Sequence, residues 1–157
     1  MSFPKIDSKA PSFSLTDQAG APHTLADYAG KWVLIYFYPK DNTPGCTVEA
    51  LAFESKLPDF TKYNCVILGV SIDSEAAHKK FCEKQNLTFT LLSDVDKKMV
   101  HAYGVWDKKK FMGREYMGIL RTSFLVNPLG IIAKVYENVK PPVHANEVLN
   151  DLSALSK

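Results

Sequence analysis

The chain has 157 residues, of which 46% are hydrophobic, a size and composition typical of one domain with a single core. Nineteen basic and 17 acidic residues give a formal net charge of +2. Because these charges are spread along the chain, they form no basic surface of the kind that binds nucleic acid or an anionic membrane. We therefore expect one domain over residues 1–157, with neither nucleic acid nor a membrane as partner.

The apolar segments and the cysteines indicate the compartment. The longest apolar run, 32–38, is too short to cross a bilayer, and residues 1–5 lack the apolar core of a signal peptide. Three cysteines, Cys46, Cys65 and Cys82, do not suggest a framework of structural disulfides. We expect a cytoplasmic protein in which each cysteine packs in the core, binds a metal or acts in catalysis.

The N-terminal half begins with extended segments. Short stretches at 13–15 and 22–25 flank a turn and predict a hairpin. The continuously apolar run 32–38 predicts a strand covered on both faces, which is typical of the centre of a sheet. Apolar residues at helical spacing after Pro44 predict a helix that is interrupted at Pro58.

The rest of the chain alternates strands and helices. The predicted elements are a strand at 65–72, a helix at 74–85, a short extended segment at 88–92, a helix at 96–103, a loop at 104–118, strands at 121–126 and 131–136, and a helix at 144–155. This order predicts an α/β protein with a thioredoxin-like architecture: a central mixed sheet flanked by helices, with an N-terminal β-hairpin.

The segment that follows the first central strand has the clearest chemical signal. Thr43 is suited to cap a helix and Pro44 to occupy its first position, so Cys46 is predicted to lie in the first helical turn. Free backbone N–H groups and the helix dipole stabilise a thiolate there. A small buried cysteine is the alternative, but the neighbouring prolines, threonine and glycine are poor core residues.

Arg121 is a second, independent feature. The chain has two arginines against 17 lysines, and Arg121 lies in an apolar strand segment, where burial of a guanidinium is costly unless an anion meets it. The alternative is an arginine at a strand end whose head group reaches solvent.

Pro39, Thr43 and Cys46 have the spacing Pro-x-x-x-Thr-x-x-Cys that marks peroxiredoxins, and residues 36–49 resemble the bacterioferritin comigratory protein (Bcp or PrxQ) subfamily. Residues 89–94, 103–106 and 121–126 are also similar to segments of that subfamily, in the same order. The resemblance implies a thioredoxin fold and reduction of hydrogen peroxide and organic hydroperoxides, without a cofactor and with thioredoxin as reductant.

The resemblance also implies a role for each matching residue. Cys46 is then the nucleophile that attacks the peroxide, Arg121 stabilises its thiolate, Thr43 places its hydroxyl against sulfur and peroxide, Pro39 shields the pocket from water, and Glu49 supports the arginine. Such donors suit a transition state whose charge spreads over sulfur and two oxygens. We expect a monomer, or at most a weak dimer.

The resolving thiol departs from a common pattern of the family. Many members carry it on the same helix, at a position that is Leu51 here, while some carry it on the following helix, where Cys82 lies. Cys82, Cys65, a partner's thiol and no resolving thiol all stay open. We favour Cys82, acting through local unfolding, because helical geometry places it at the margin of a core stripe marked by Ala77 and Phe81.

Other functions are considered beside the peroxidase. A papain-like hydrolase needs a histidine base beside the cysteine, and a disulfide reductase needs Cys-x-x-Cys. A thioredoxin-fold interaction module would not need Cys46 at all. His78 and Cys82 have the spacing of half a metal site but are interpreted as two surface-side residues. The remaining histidines are His23, His101 and His144.

Overall fold

The computed structural model of the protein describes residues 3–156. Residues 1 and 2 of the segment 1–5 that was considered above therefore lie outside the described residues. Within it, the strands are β1 (Ser14–Asp17), β2 (Pro22–Thr24), β3 (Trp32–Phe37), β4 (Cys65–Ser71), β5 (Thr90–Ser93), β6 (Trp106–Phe111), β7 (Arg114–Ile119), β8 (Thr122–Val126) and β9 (Ile132–Tyr136). The α-helices are α1 (Pro44–Lys62), α2 (Glu75–Gln85), α3 (Lys98–Ala102) and α4 (His144–Leu155). None of these helices has the length and apolar character needed to cross a membrane.

Seven strands form one mixed sheet in the order β2-β1-β5-β4-β3-β8-β9. Strands β3, β4 and β5 are parallel neighbours, whereas β8 pairs antiparallel with β3, and β1 antiparallel with β5. The N-terminal hairpin forms from β1 and β2, as predicted. The predicted thioredoxin-like α/β fold is thereby confirmed.

Strand β3 is buried on both faces, as its apolar run predicts. Leu34 and Tyr36 face one core cluster, which α1, α2 and α4 cover, while Val33, Ile35 and Phe37 face a second cluster, to which α3 contributes. Because side chains alternate along a strand, one continuous apolar segment supplies both layers of the core. The carboxyl end of β3 therefore leads out of the centre of the sheet directly into the loop before α1.

The segment 104–118 is not the loop that the sequence predicts. It forms most of a two-stranded hairpin, β6 and β7, in which Phe111 pairs with Arg114. Met112 and Gly113 have positive φ angles of 52° and 79°, as expected for a two-residue primed turn. Both faces of the hairpin are largely solvated, so its strands lack the alternation of apolar and polar residues that indicates a strand. The lysine-rich sequence therefore does not predict this hairpin.

Helix α1 also differs from its prediction, since it continues through Pro58 without interruption. Proline removes one backbone hydrogen bond from a helix interior. Phe53 and Phe60, on either side of Pro58, are both fully buried in the core. Their burial offsets the cost of the proline and keeps the two halves of the helix together.

Candidate active site

Cys46 lies in the first turn of α1, as predicted. Pro44 occupies the first helical position and Thr43 precedes it, but the Thr43 side chain makes no capping hydrogen bond. The helical bonds begin with Thr47 N–H donating to the Thr43 carbonyl at 2.9 Å. The N–H groups of Gly45 and Cys46 come before that bond and have no partner within the helix, so they offer positive partial charge beside the sulfur.

Arg121 meets Cys46 directly. Its Nη2 lies 3.3 Å from Cys46 Sγ, and its Nη1 lies 2.6 Å from Glu49 Oε1. Arg121 comes just before β8, whose first residue Thr122 pairs with Phe37 at the end of β3. The antiparallel pairing of β8 with β3 therefore brings the guanidinium to the strand end from which the chain leads into α1.

The side chains of Cys46, Glu49 and Arg121 are largely buried. Cys46 and Glu49 are each 1% exposed, and the Arg121 side chain is 19% exposed. Burial raises the pKa of Glu49 to about 7, against the opposing charge of Arg121. Burial also acts to lower the pKa of Arg121, but Cys46 and Glu49 outweigh it and the pKa is raised. The cation thus stays charged beside the sulfur.

Gly45 makes room for this arrangement. A side chain there would place its Cβ 3.2 Å from Arg121 Nη2, tighter than an ordinary van der Waals contact. Any larger residue at this position would push the guanidinium away from Cys46.

Replacing Glu49 with glutamine should change how stability depends on pH. The pKa of Glu49 rises from 4.5 to about 7 on folding. Between these two pH values the folded chain keeps a proton that the unfolded chain has lost. This group therefore makes the fold less stable as the pH rises from 4.5 to about 7. We expect the free energy of unfolding of Glu49→Gln, relative to wild type, to rise by about 1–3 kcal/mol between pH 5 and pH 8.

Urea denaturation at both pH values measures this difference. Glu115→Gln, a change on the exposed strand β7, is the control and should leave the wild-type pH dependence unaltered. Parallel stability curves for wild type and Glu49→Gln would contradict the prediction.

The two other residues of the peroxiredoxin motif lie in the loop between β3 and α1. Pro39 is half-buried at the start of this loop. The Thr43 hydroxyl donates to the Lys40 carbonyl at 2.8 Å, which commits its proton within the loop. In this conformation the Thr43 oxygen can meet a ligand only as a hydrogen-bond acceptor.

Lys109 is a second cation near the cluster that sequence reasoning missed. Its Nζ donates to the Ile119 carbonyl at 2.9 Å, so the side chain lies across the hairpin toward the segment that carries Arg121. Burial and then the charge of Arg121 lower the pKa of Lys109, with Cys46 acting in the opposite direction. Recognising the hairpin in the sequence would have placed this lysine beside the site.

The core stripe of α2 differs from its prediction. His78, Phe81 and Cys82 are buried, whereas Ala77 is only half-buried. His78 is fully buried, so the interpretation of His78 and Cys82 as surface-side residues is wrong. The His78 ring forms a hydrogen bond with Asp41, a residue that the sequence did not single out. The structure thus pairs His78 with Asp41 instead of with Cys82 in half a metal site.

The two other cysteines are both buried and free. Burial raises the pKa of Cys65 to about 12, which agrees with its predicted inert position in β4. Burial, followed by the charge of Asp41, raises the pKa of Cys82 to about 11. Cys82 nevertheless lies on the wall of a surface cavity of about 610 Å³, so a small movement would expose it. Leu51 is 41% exposed on α1.

The histidines of the described residues are engaged away from the sulfur. His23 pairs with Asp17, His144 with Glu147 and Ser123, and His101 lies beside Trp106. The side-chain partner of Cys46 is Arg121. This geometry argues against a papain-like hydrolase, which needs a histidine base at the sulfur.

Comparison with known proteins identifies the family of the chain. Residues 6–135 match the AhpC/TSA family. Peroxiredoxin Bcp of Bacillus subtilis is 44% identical over 153 residues, which cover 98% of this chain and 98% of that protein. PrxQ of Xylella fastidiosa superposes with a TM-score of 0.94 at 39% identity, covering 100% of both chains.

Several solved structures come from Xanthomonas campestris. One concerns the alkyl peroxide reduction activity of its bacterioferritin comigratory protein and superposes with a TM-score of 0.88 at 42% identity, covering 92% of each chain. Two others are cysteine-to-serine mutants of its peroxiredoxin Q, with TM-scores of 0.88 and 0.86 at 43% identity, covering 92% and 90% of each chain. Together with the match over residues 6–135, these similarities show that the chain belongs to the AhpC/TSA family and is a thiol peroxidase of the Bcp/PrxQ peroxiredoxins.

Proposed function

We propose that Cys46 is the peroxidatic nucleophile and that Cys82 resolves its oxidised form. The Cys46 thiolate attacks one peroxide oxygen, the O–O bond breaks, and the product alcohol or water leaves with a proton while Cys46 becomes a sulfenic acid. The Cys82 thiol then forms the disulfide and releases water. A dithiol of the thioredoxin type restores both thiols, which makes the protein a thioredoxin-dependent peroxidase for antioxidant defence.

The observation that carries this proposal is the 3.3 Å contact between Arg121 Nη2 and Cys46 Sγ at the start of α1. A guanidinium offers fixed, parallel N–H donors, which can hold both the thiolate and a peroxide oxygen during attack. Glu49 holds the second arm of the guanidinium and so fixes the direction of the donors.

Thr43 and Pro39 complete the proposed pocket. With its proton donated to Lys40, the Thr43 oxygen is ready to accept a hydrogen bond from the peroxide O–H. Pro39 lies at the start of the same loop. Because proline has no backbone N–H to bind water, this residue limits the access of water to the pocket. Both residues act on the substrate from the loop, while Arg121 acts from the sheet.

Two observations favour Cys82 over Cys65 as the resolving thiol. The mutated cysteines of the two Xanthomonas campestris structures are separated by the same number of residues as Cys46 and Cys82. Cys65 lies within β4 at the centre of the sheet, whereas Cys82 lies beside a surface cavity. Release of α2 would free Cys82, but release of Cys65 would require the sheet to open.

Resolution requires local unfolding of the folded site. A thiol with a pKa of about 11 is almost wholly protonated at neutral pH and is a poor nucleophile. Unwinding the first turn of α1 and part of α2 would return Cys82 to water, where its pKa approaches that of an ordinary cysteine. The same opening would present the disulfide to the reductant.

The Cys82→Ser substitution tests the resolving step. We expect its single-turnover oxidation by hydrogen peroxide to stay within about twofold of wild type, because Cys46 and Arg121 are untouched. Turnover with thioredoxin and thioredoxin reductase should fall by at least about tenfold, because the disulfide that the reductant attacks no longer forms. Stopped-flow fluorescence and coupled NADPH consumption measure the two rates.

Cys65→Ser is the matched control, since it also removes a buried thiol. Peptide mapping after one equivalent of peroxide should find a Cys46–Cys82 bridge in wild type and in Cys65→Ser. A bridge to Cys65, or full thioredoxin-dependent turnover by Cys82→Ser, would exclude Cys82 as the resolving thiol. We further propose a cytoplasmic location and a monomeric state, to be checked by cell fractionation and light scattering.

A further inference from the structure

A buried polar cluster connects α2 to the loop between β3 and α1. His78, which is 0% exposed, lies with its Nδ1 2.6 Å from Asp41 Oδ2 and its Nε2 3.0 Å from the Leu92 carbonyl. Through one ring nitrogen His78 joins α2 to the Asp41 side chain, and through the other it joins α2 to β5, all inside the protein.

Asp41 makes two further hydrogen bonds, and its partner Asp73 is itself held by a third. The Tyr38 hydroxyl donates to its Oδ1 at 2.6 Å, and its backbone N–H donates to Asp73 Oδ2 at 3.0 Å. The Ser71 hydroxyl at the end of β4 also donates to Asp73 Oδ2, at 2.6 Å. These bonds fix the loop against the carboxyl ends of β3 and β4. Although ligand atoms of Asp41, Asp73 and His78 lie within 4.8 Å of one another, each is used in this network.

The cluster joins the two segments that the proposed mechanism separates. Asp41 belongs to the loop that leads into the first turn of α1 and hence to Cys46. His78 precedes Cys82 by one helical turn on α2. Unwinding either segment far enough for the two sulfurs to meet would pull His78 away from Asp41.

We propose that His78 is a positioning residue that holds the Cys46 loop and the Cys82 helix in the folded arrangement and thereby limits the rate of resolution. The proposal rests on the proposed function, in which the Cys82 thiol attacks the Cys46 sulfenic acid and the S–S bond forms as water leaves. When resolution is slow, the sulfenic acid persists and can instead react with a second peroxide molecule. It then becomes a sulfinic acid, with water or an alcohol as the other product. His78 thus also controls how Cys46 divides between disulfide and overoxidation.

The His78→Gln substitution tests this role. Glutamine has no donor at the position of Nδ1, so in the folded state Asp41 Oδ2 stays buried without this partner, whereas in the locally unfolded state Asp41 meets water in both proteins. The equilibrium therefore shifts toward the open state, and disulfide formation should be at least about tenfold faster. The peroxide concentration that overoxidises half of Cys46 should rise in proportion. Reaction of the reduced protein with peroxide should slow by less than this factor.

His144→Gln is a matched control for the loss of a buried histidine. His144 is also 0% exposed and pairs with Glu147 at 2.8 Å and with Ser123 at 2.8 Å, but it lies on α4, which carries neither Cys46 nor Cys82. We expect it to lower thermal stability while leaving the rate of disulfide formation within about twofold of wild type. The double variant His78→Gln with Asp41→Asn, which also removes the carboxylate left without its partner, should return that rate toward wild type.

Rapid-quench mass spectrometry measures the sulfenic, disulfide and sulfinic forms, and amide hydrogen exchange of residues 39–46 and 75–85 measures opening of the reduced protein. The exchange experiment is repeated in a Cys82→Ser background, so it tests the His78 contact even if Cys82 does not resolve Cys46. Faster exchange in both segments for His78→Gln alone supports the proposal. Unchanged exchange, or equal acceleration of resolution by His144→Gln, would overturn it. Absence of the Cys46–Cys82 disulfide from wild type would instead contradict the proposed function.

Discussion

Replacement of Cys46 with serine should abolish the peroxidase activity. The hydroxyl of serine is not ionised at neutral pH and lacks the nucleophilicity of a thiolate, so neither Arg121 nor the helix start can activate it. We expect the rate of peroxide consumption to fall by at least roughly 10⁴-fold, to the level of the reaction without enzyme. A coupled assay with thioredoxin, its reductase and hydrogen peroxide measures this loss.

The substitution is nearly isosteric at a position that is 1% exposed, so the fold should persist. Circular dichroism and thermal unfolding establish that persistence. Cys65→Ser serves as the control because it changes a buried thiol of β4 outside the site. Peroxidase turnover by Cys46→Ser above about one-hundredth of the wild-type rate would show that another group attacks the peroxide.

Replacement of Arg121 with lysine should cost most of the activity although it keeps the charge. The guanidinium reaches Cys46 Sγ with Nη2 and Glu49 Oε1 with Nη1, at 3.3 Å and 2.6 Å. A lysine ammonium is a single point charge that cannot hold both partners in fixed directions. Loss of one preorganised donor at a site of developing charge lowers kcat by about 10²–10³-fold, and we expect a loss of this size in kcat/KM.

Arg114→Lys is the matched control, since the other arginine of the chain lies exposed at the start of β7. It should retain wild-type kinetics. Stopped-flow oxidation of reduced protein isolates the chemical step from recycling by thioredoxin. If the Arg121→Lys protein is oxidised by peroxide at nearly the wild-type rate, the role of Arg121 is purely structural and consists of pairing with Glu49.

Local sequence signals are sufficient for part of the site. Pro44, Thr43 and the apolar run before them predict a helix that starts just after a buried strand, and α1 begins at Pro44 as predicted. Such signals succeed because they act within a few residues of the chain, through fixed φ angles and unsatisfied N–H groups. The position of Cys46 in the first turn therefore needed no tertiary information.

The errors arise where long-range packing decides the outcome. Pro58 indicates a break, but burial of Phe53 and Phe60 keeps α1 continuous. His78 has the polarity of a surface residue, yet it is fully buried because Asp41 and the Leu92 carbonyl satisfy its ring. A buried polar residue cannot be distinguished from an exposed one before its partners are known.

The sequence by itself determined the buried central strand, the helix start and the position of Cys46 in the first helical turn, because periodicity and capping are local properties of the chain. Tertiary structure alone decided which groups surround that cysteine. The antiparallel pairing of β8 with β3 delivers Arg121 to Cys46, and the packing of α2 on the sheet delivers His78 to Asp41. These contacts join residues that are distant in the chain, so their energies depend on strand order and shared burial, which no local pattern encodes.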